Sequence, residues 1–448
     1  MIPIAAFLAP LFLIRFLRLQ KPLKGFLWIV LAGWVSNVFI WKGMLPTSGF
    51  FYYIIMFMMS LFTSLTFLFD RIYTQKVKGI ISTFIFPSAF VIMEYVVVLT
   101  NPSGSYGTLA HTQTSLPMIQ IISVTGIWGL TFLITWTASV INWLWDNSFE
   151  KSKLRTALLI LGIPLLLVIT LGQIRIKTKI ENSTVQVASI TISKEDLEYH
   201  MIDNADSINE KTCKRFIQNC EIAASSGAKI IFGIEALITI SENAENGFTE
   251  RVKTLAKKDS IYLGVPMCII PKEFPDKKPD NKIIWISPKG EIKFTYHKSK
   301  PTPGEGYYGD GIIRYFDSPY GRIGSAICFD MDFPILINQV SKMDIDIMLV
   351  PANDWPEISP YHTYVASFRA IEHGFNMVRS VYRGLSASFN YKGQILSSQD
   401  YFNADNDIFY TAVPIKGHKT VYSKLGDYFA WLCIIYFITI SFIFIKPK

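Results

Sequence analysis

GRIGSAICFDMDFP, residues 321–334, is the stretch from which the rest of the chain can be read. Its apolar run over 323–327 reads as a buried strand that delivers Cys328 to an abrupt exit, because Asp330, Asp332 and then Pro334 prevent the strand from continuing. Backbone N–H groups become free at such an exit, so a thiol there can be a nucleophile with an oxyanion site beside it. On the strand alone a free cysteine reads rather as an inert core residue. A glutamate and a lysine upstream, and the two ends of the chain, decide between these readings.

The 448 residues are long enough for two or three domains. Half are hydrophobic, 14% are aromatic and 17% are charged, against about 25% charged in a typical soluble protein. The imbalance is concentrated before residue 175 and after residue 424, which describes a membrane protein carrying one large polar domain. The formal net charge is +8, yet no Lys/Arg run marks a nucleic-acid partner. Five cysteines without paired spacing argue against a disulfide framework. Cys213 and Cys220 fall on one face of an expected helix and read as core, and Cys433 sits in an apolar segment. With no Cys-x-x-Cys or His-Glu-x-x-His spacing, no metal is expected.

Apolar segments at 25–41, 51–69, 80–99, 119–144, 156–174 and 426–445 have the length of membrane spans, while 2–14 is short for one. Arg15, Arg18, Lys21 and Lys24 fall in one connection, Arg71, Lys76 and Lys78 in a second, and Lys151, Lys153 and Arg155 in a third; Lys446 and Lys448 end the chain. The alternate loops carry only Lys42, and Thr100–Met118 carries no Lys or Arg. The positive-inside bias makes the first set cytoplasmic and puts the polar domain outside. The expected division is 1–178 for the N-terminal helices, five to six of them spanning, 179–422 for the polar domain and 423–448 for a last helix. The polar, glycine-rich loop Thr100–Met118 suits a substrate mouth or lid, and an ordinary connection equally.

Within the polar domain, strands are expected at 185–192, 229–235, 261–270, 281–287, 291–297, 323–327 and 345–351. Helices are expected after the capping box Ser207-x-x-Glu210, around 249–258 and over 359–373. Pro288-Lys-Gly290 and 390–393 read as hairpin turns. The expected class is α/β, with two sheets sandwiched between helices.

Three residues fall at or just past strand ends, where an α/β sheet gathers its ligands: Glu235, Lys298 and Cys328. Glu235 is suited to take the thiol proton and return it to a leaving group. Lys298, kept charged, would lower the thiol pKa and stabilise a tetrahedral oxyanion. Cys328 would carry an acyl group as a thioester. Singly, a strand-end Glu or a loop Lys is usually a solvated residue; it is the conjunction that points to chemistry.

Glu–Lys–Cys in this order, within IIFGIE, YHK and GRIGSAICFD, resembles the nitrilase (carbon–nitrogen hydrolase) superfamily over about 183–412. The likeness extends to Asn353-Asp-Trp355, to Phe368-Arg-Ala-Ile-Glu-His373, to Val378-Arg379 and to Gly384. Several helices before such a domain and one after it resemble the apolipoprotein N-acyltransferase family. SYGTLAHTQTSLPMIQIISVTGIWGLTFL is similar to that family's membrane part. The resemblance implies a polytopic α-helical membrane domain with an extracytoplasmic α-β-β-α nitrilase-like sandwich, in the cytoplasmic (inner) membrane of a bacterium with the catalytic domain on its outer, periplasmic side. It also implies a ping-pong reaction without a cofactor. Cys328 would take an acyl chain from a membrane phospholipid and pass it to the N-terminal amine of a lipoprotein. Glu235 would be the base, Lys298 and the Phe329 N–H the oxyanion donors, and Glu305 the acid that orients the lysine. Asp330 would support the thiol, and Asn353, Trp355 and Tyr307 would meet substrate; Tyr307-Tyr308 would also suit a lid.

This chain departs from the pattern at Gly-Ile-Glu235 for Trp-Pro-Glu and at Cys328-Phe-Asp330 for Cys-Tyr-Glu. Against that family's pattern the stretch from Lys298 to Glu305 reads about one residue short, and the membrane part reads as one N-terminal helix fewer. His297, His362 and His373 read as structural or surface residues, because Glu235 fills the role of base. Two other readings stay open: a membrane-tethered amidase or nitrilase, which would share the triad, and a degenerate membrane scaffold.

Overall fold

A computed structural model describes residues 2–180, 183–191, 205–302, 305–404 and 406–444, with only the backbone of 205–209 and 444. Ser207 of the expected capping box falls within the helix Ala205–Ser225, with its side chain not described, while Ile192 at the end of the first strand, Pro303-Gly304 and the terminal Lys446 and Lys448 lie outside the described residues. The chain divides into two compact units, Met1–Thr178 with Val421–Lys448, and Lys179–Thr420.

Five helices among the described residues of the first unit are long and apolar enough to cross a membrane: Pro22–Ile40, Gly49–Tyr73, Ile80–Thr100, Ile127–Asp146 and Lys151–Lys177. Ala5–Leu19, at 15 residues, and Tyr428–Phe444, at 17, are shorter apolar helices. The segment expected over 119–144 is broken. Leu116–Thr125 is separated from Ile127–Asp146 by Gly126 at φ 65°, where a Cβ would meet the Tyr422 ring at 2.5 Å. Hydropathy does not register such a break, because Gly126 lies between two stretches that are apolar on average.

Arg18 donates to both carboxylate oxygens of Asp70 at 2.9 Å, and Arg18 and Arg15 reach Asp146 at 2.8 and 2.6 Å. These pairs tie together the C-terminal ends of Ala5–Leu19, Gly49–Tyr73 and Ile127–Asp146. The arginines expected in a loop therefore lie within the first helix. Thr100–Met118 is not an open lid: Ser105, Ala110, His111 and Gln113 are buried, and Glu94 Oε1 accepts from Leu109 N at 2.7 Å. An acid within an apolar helix needs such donors, so the loop is drawn into the helical unit.

In the second unit, the described residues form a seven-stranded and a six-stranded sheet. The first holds β1 (Thr184–Ile190), β2 (Ile230–Gly233), β3 (Ile238–Ser241), β4 (Tyr262–Ile270), β5 (Asp280–Ile286) and β6 (Ile292–His297). The second holds β7 (Arg314–Ser318), β8 (Gly321–Ser325), β9 (Ile347–Asn353), β10 (Asn376–Tyr382), β11 (Leu385–Phe389) and β12 (Ile395–Asp400). The last strand, β13 (Ile408–Pro414), returns to pair antiparallel with β1. At the centre of each sheet the pairing is parallel, β1 with β2 and β2 with β4 in the first, β8 with β9 and β9 with β10 in the second.

Val187, Phe232 and Trp285 of the first sheet pack into one buried cluster with Ile323, Leu349 and Met377 of the second. Each such side chain contributes about 1.5–3 kcal/mol by leaving water. The Ser189 and Ser380 hydroxyls join β1 to β10 within the same interior. The outer face of the first sheet is covered by Ala205–Ser225 and Glu242–Lys258, through Cys213, Phe216, Cys220, Val252 and Leu255. Tyr361–His373 brings Ala366 and Ala370 to the core from the other side.

The local differences from the sequence reading have physical causes. The second helix begins at Glu242 rather than near 249, because an acidic first turn with Glu242 and Glu245 suits a helix N-terminus. The strand expected over 323–327 ends at Ser325, because Ile327 N turns to Asp330 Oδ2 at 3.0 Å and leaves the ladder.

Candidate active site

Cys328 follows β8 at φ 48°, a left-handed conformation that costs a non-glycine residue about 1–2 kcal/mol and so needs support from its surroundings. Asp330 supplies part of it. Its carboxylate accepts from Ile327 N at 3.0 Å, Tyr296 Oη at 2.8 Å, Ser299 N at 3.1 Å and Lys300 N at 2.7 Å. The acid that is one methylene shorter than the resemblance leads one to expect thus clamps the thiol's turn to the loop just after Lys298. Burial raises the Asp330 pKa to about 6, against the pull of these donors. A 3-10 turn, Cys328–Asp332, begins at the thiol. The Phe329 N–H lies in its first residues, where a helix leaves donors outside its ladder.

Glu235 does not close its strand but stands in the turn after β2, next to Ala236 at φ 53°. Lys298 lies just past β6 and is 2% exposed. Its Nζ donates to Glu235 Oε1 at 2.7 Å and to Glu305 Oε1 and Oε2 at 2.5 and 2.7 Å. Thr302 N and Oγ1 hold Glu305 Oε2 at 2.7 and 2.8 Å. Asn281, which opens the site from β5 and which the sequence reading did not single out, donates to Glu235 Oε1 at 2.8 Å and to Glu305 Oε1 at 2.9 Å. Glu235 Oε2 is buried with no hydrogen-bond partner among the described residues.

The electrostatics follow from one lysine shared by two acids in a dry place. Burial raises the Glu235 pKa, and the lowering by Lys298 does not cancel it. Burial also pushes Glu305 up, but there the Lys298 charge and the Thr302 donors prevail and leave it below the usual carboxylate range. Burial would lower Lys298; Glu235, Cys328 and Glu305 outweigh it, and the ammonium is held charged. The Cys328 thiol is held well above its ordinary value by burial and then by Glu235, against the opposing pull of Lys298 and Arg379. The resting state is therefore a thiol beside a carboxylate of raised basicity, which is the state from which a proton can move to Glu235 as the sulfur attacks.

A second set of charges lies on the thiol. Asn353 O and Asp354 Oδ1 are 3.8 and 3.9 Å from Sγ, and Arg379 Nη2 is 3.9 Å away. Asp354, His362, Asp332 and Arg379 are all buried. His362 is thus neither a surface residue nor remote from the site. His297 pairs instead with Asp280 at 2.7 Å, and His373 Nδ1 meets Ser341 Oγ at 2.8 Å. Asn353 reaches the thiol through its carbonyl, and Trp355 follows it half-buried. Tyr307 is 56% exposed against the His297 ring, and no contact among the described residues joins it to Cys328.

Cys328 Sγ, an Asp354 oxygen and a His362 nitrogen lie within 4.8 Å of one another, a spacing that could hold a metal ion. Arg379 Nη2 is 2.9 Å from both Asp354 Oδ1 and His362 Nδ1, and its fixed positive charge opposes a second cation there.

Residues 184–416 match the family model described as carbon–nitrogen hydrolase, and residues 2–140 match the apolipoprotein N-acyltransferase N-terminal domain. An apolipoprotein N-acyltransferase of Geobacter metallireducens is 24% identical over 388 residues, covering 80% of this chain and 73% of its own. Apolipoprotein N-acyltransferase 2 of Treponema denticola is 24% identical over 388 residues, covering 74% and 70%. A solved amidase from Nesterenkonia sp. covers 53% of this chain and 94% of its own at 14% identity and a TM-score of 0.44.

Proposed function

The chain belongs to the carbon–nitrogen hydrolase family, and on that premise we propose that it is a membrane-embedded N-acyltransferase that moves a fatty acyl chain from a phospholipid, through a thioester on Cys328, to the N-terminal amine of a lipoprotein. Glu235 Oε2 takes the thiol proton as Sγ attacks the ester carbonyl. Lys298 and the Phe329 N–H meet the oxyanion. Collapse breaks the ester C–O bond, the departing oxygen takes the proton from Glu235, and a lysophospholipid leaves. The acceptor amine then attacks the thioester and gives its proton to Glu235. The C–S bond breaks, and the thiolate is reprotonated.

The observation that carries this reading is that a buried Glu235–Lys298–Cys328 set shares one chain with residues 2–140, which match an acyltransferase membrane domain. A tethered amidase would need one helix, whereas five described helices are long enough to span. The basic residues near the helix ends, gathered by the Arg18–Asp70 and Arg15–Asp146 pairs, support a cytoplasmic placement of those ends. Lys179–Thr420 then faces the outer, periplasmic side of a bacterial inner membrane. An acyl donor drawn from the bilayer suits a compartment without ATP, and two lipid substrates confined to one membrane gain in effective concentration. Glu305 and Asn281 orient the lysine and the base, and Asp330 positions the thiol. Asn353 and Trp355 border the substrate; Tyr307 stands further out, where an incoming chain would pass.

The test is purified protein in phospholipid micelles with a synthetic diacylated lipopeptide. Acyl transfer to the lipopeptide amine, absent in Cys328→Ala, is expected. Ammonia release from simple amides without acyl transfer would favour the amidase reading instead.

A further inference from the structure

Four buried charged residues stand around the thiol and take no part in the scheme above. Arg379 Nη2 is 3.9 Å from Cys328 Sγ, and its Nη1 donates to the Cys328 carbonyl at 3.4 Å. The same Nη2 donates to Asp354 Oδ1 at 2.9 Å. His362 Nδ1 lies 2.8 Å from that oxygen, and its Nε2 lies 2.7 Å from Asp332 Oδ2. The residues come from four places: the turn after Cys328, the end of β9, the first turn of Tyr361–His373, and β10. All are 3% exposed or less.

We propose that Asp332, His362 and Asp354 are positioning residues that hold the Arg379 guanidinium on Cys328, so that the thiolate meets a second cation besides Lys298 in both half-reactions. This rests on the acyl-transfer reading only for what the thiolate does; the network itself is a property of the resting site.

The charges explain why all four are needed. Two carboxylates, one imidazolium and one guanidinium sum to zero, so the set can be buried without a net charge. Arg379 without Asp354 would be a lone buried cation, and Asp354 shared by Arg379 and His362 needs both. His362 cannot serve as a rival base. Each ring nitrogen already faces a carboxylate, and its pKa is raised to about 9: burial and Arg379 lower it, but Asp332 and Asp354 outweigh them. The imidazolium form donates Nδ1–H to Asp354 and Nε2–H to Asp332, and these two acids offset the like charge of Arg379 Nη2, 2.9 Å from Nδ1.

The cation also has a defined moment of action. In the resting site Glu235 and burial keep the thiol protonated. Once Glu235 accepts the proton its negative charge is gone, and Lys298 and Arg379 both act on the new thiolate. Arg379 further holds the carbonyl of a residue in a left-handed conformation, where the backbone would otherwise relax.

The test reads Cys328 alone and needs no lipid. Full-length protein in detergent is treated with iodoacetamide, and the rate of alkylation at Cys328 is followed by peptide mass spectrometry. Loss of a charge within about 4–6 Å moves a thiol pKa by about one unit or more. One unit is about tenfold in thiolate, and higher intrinsic nucleophilicity returns about threefold of it. His362→Gln is therefore expected to slow alkylation about three- to tenfold. Asp332→Asn with His362→Gln restores neutrality and should recover most of the rate. A purely structural role predicts that the double variant is worse than the single one.

Rates within twofold of wild type for His362→Gln, or a double variant slower than His362→Gln, would overturn the proposal. If His362→Gln does not fold, Arg379→Gln takes its place: it removes the second cation from the thiol, slower alkylation is expected, and a rate within twofold of wild type would overturn the proposal equally. Wild-type protein that forms no acyl adduct with phospholipid, while the variants keep the expected order in alkylation, would reject the acyl-transfer reading and support the network.

Discussion

Lys298 donates to Glu235 Oε1 at 2.7 Å, and the other carboxylate oxygen, Oε2, is buried without a partner among the described residues. A buried acceptor left empty costs about 1–3 kcal/mol, which a fold retains where the lone pair has a use. The lysine fixes one oxygen, and the free one is left to take a proton.

Glu235→Gln tests that division of labour. The variant keeps the volume and an oxygen for Lys298, which retains Glu305 as counter-ion, but loses the base. Acylation of Cys328 by phospholipid should fall by about 10²–10⁴-fold. Single-turnover formation of the acyl adduct is the measurement, and a loss below tenfold would remove Glu235 from the role.

Asn281 has a different vulnerability. It bridges Glu235 and Glu305 at 2.8 and 2.9 Å and, being neutral, adds no charge to a site where one lysine already serves two acids. Asn281→Asp introduces a third carboxylate. Mutual repulsion should raise the pKa values of both acids and cut acyl transfer at neutral pH about tenfold or more, with partial recovery in Asn281→Ser. Equal activity in the Asp variant would contradict the bridging role.

Stability should depend on pH through the network under the thiol. The folded pKa of His362, about 9, lies above its ordinary 6.5. Its contribution is thus whole below pH 6.5 and is lost as pH rises through 9. Asp354 is opposite in sign. Burial raises it, but Arg379 and His362 bring it to about 2 against an ordinary 3.8, so its contribution is present above pH 3.8 and is lost as pH falls through 2. Between pH 6.5 and 9 the His362 part amounts to about 3 kcal/mol. Thermal unfolding in detergent should show a melting temperature that declines over that window, and His362→Gln should flatten the decline. A profile identical in the two proteins would contradict the charged state given to His362.

Much of this was legible in the sequence for a physical reason. Glu235, Lys298 and Cys328 each sit just past a strand whose apolar run announces it, and the order of the three carries the family resemblance. The membrane segments follow from hydropathy, except where Gly126 divides the one expected over 119–144. Asn281 was not legible, because it lies at the start of an ordinary strand 46 residues from Glu235. The Arg379–Asp354–His362–Asp332 set was equally hidden, since Arg379 and Cys328 are 51 residues apart and meet only through the parallel pairing of β8, β9 and β10. His362 reads as an isolated histidine until the fold brings two carboxylates to its ring. Asp330 looked like a defect of the pattern, whereas its four donors show a short acid seated in a short turn. The break at Gly126 is a backbone conformation, which an apolar average conceals.

The central claim is that Cys328 carries the acyl chain. Intact-protein mass spectrometry after incubation with a phospholipid of defined chains tests it directly. The account predicts one added acyl mass on Cys328, labile to hydroxylamine, absent in Cys328→Ala, and discharged when a diacylated lipopeptide with a free N-terminal amine is added. An unmodified thiol under conditions where the lipopeptide nevertheless becomes acylated would contradict it.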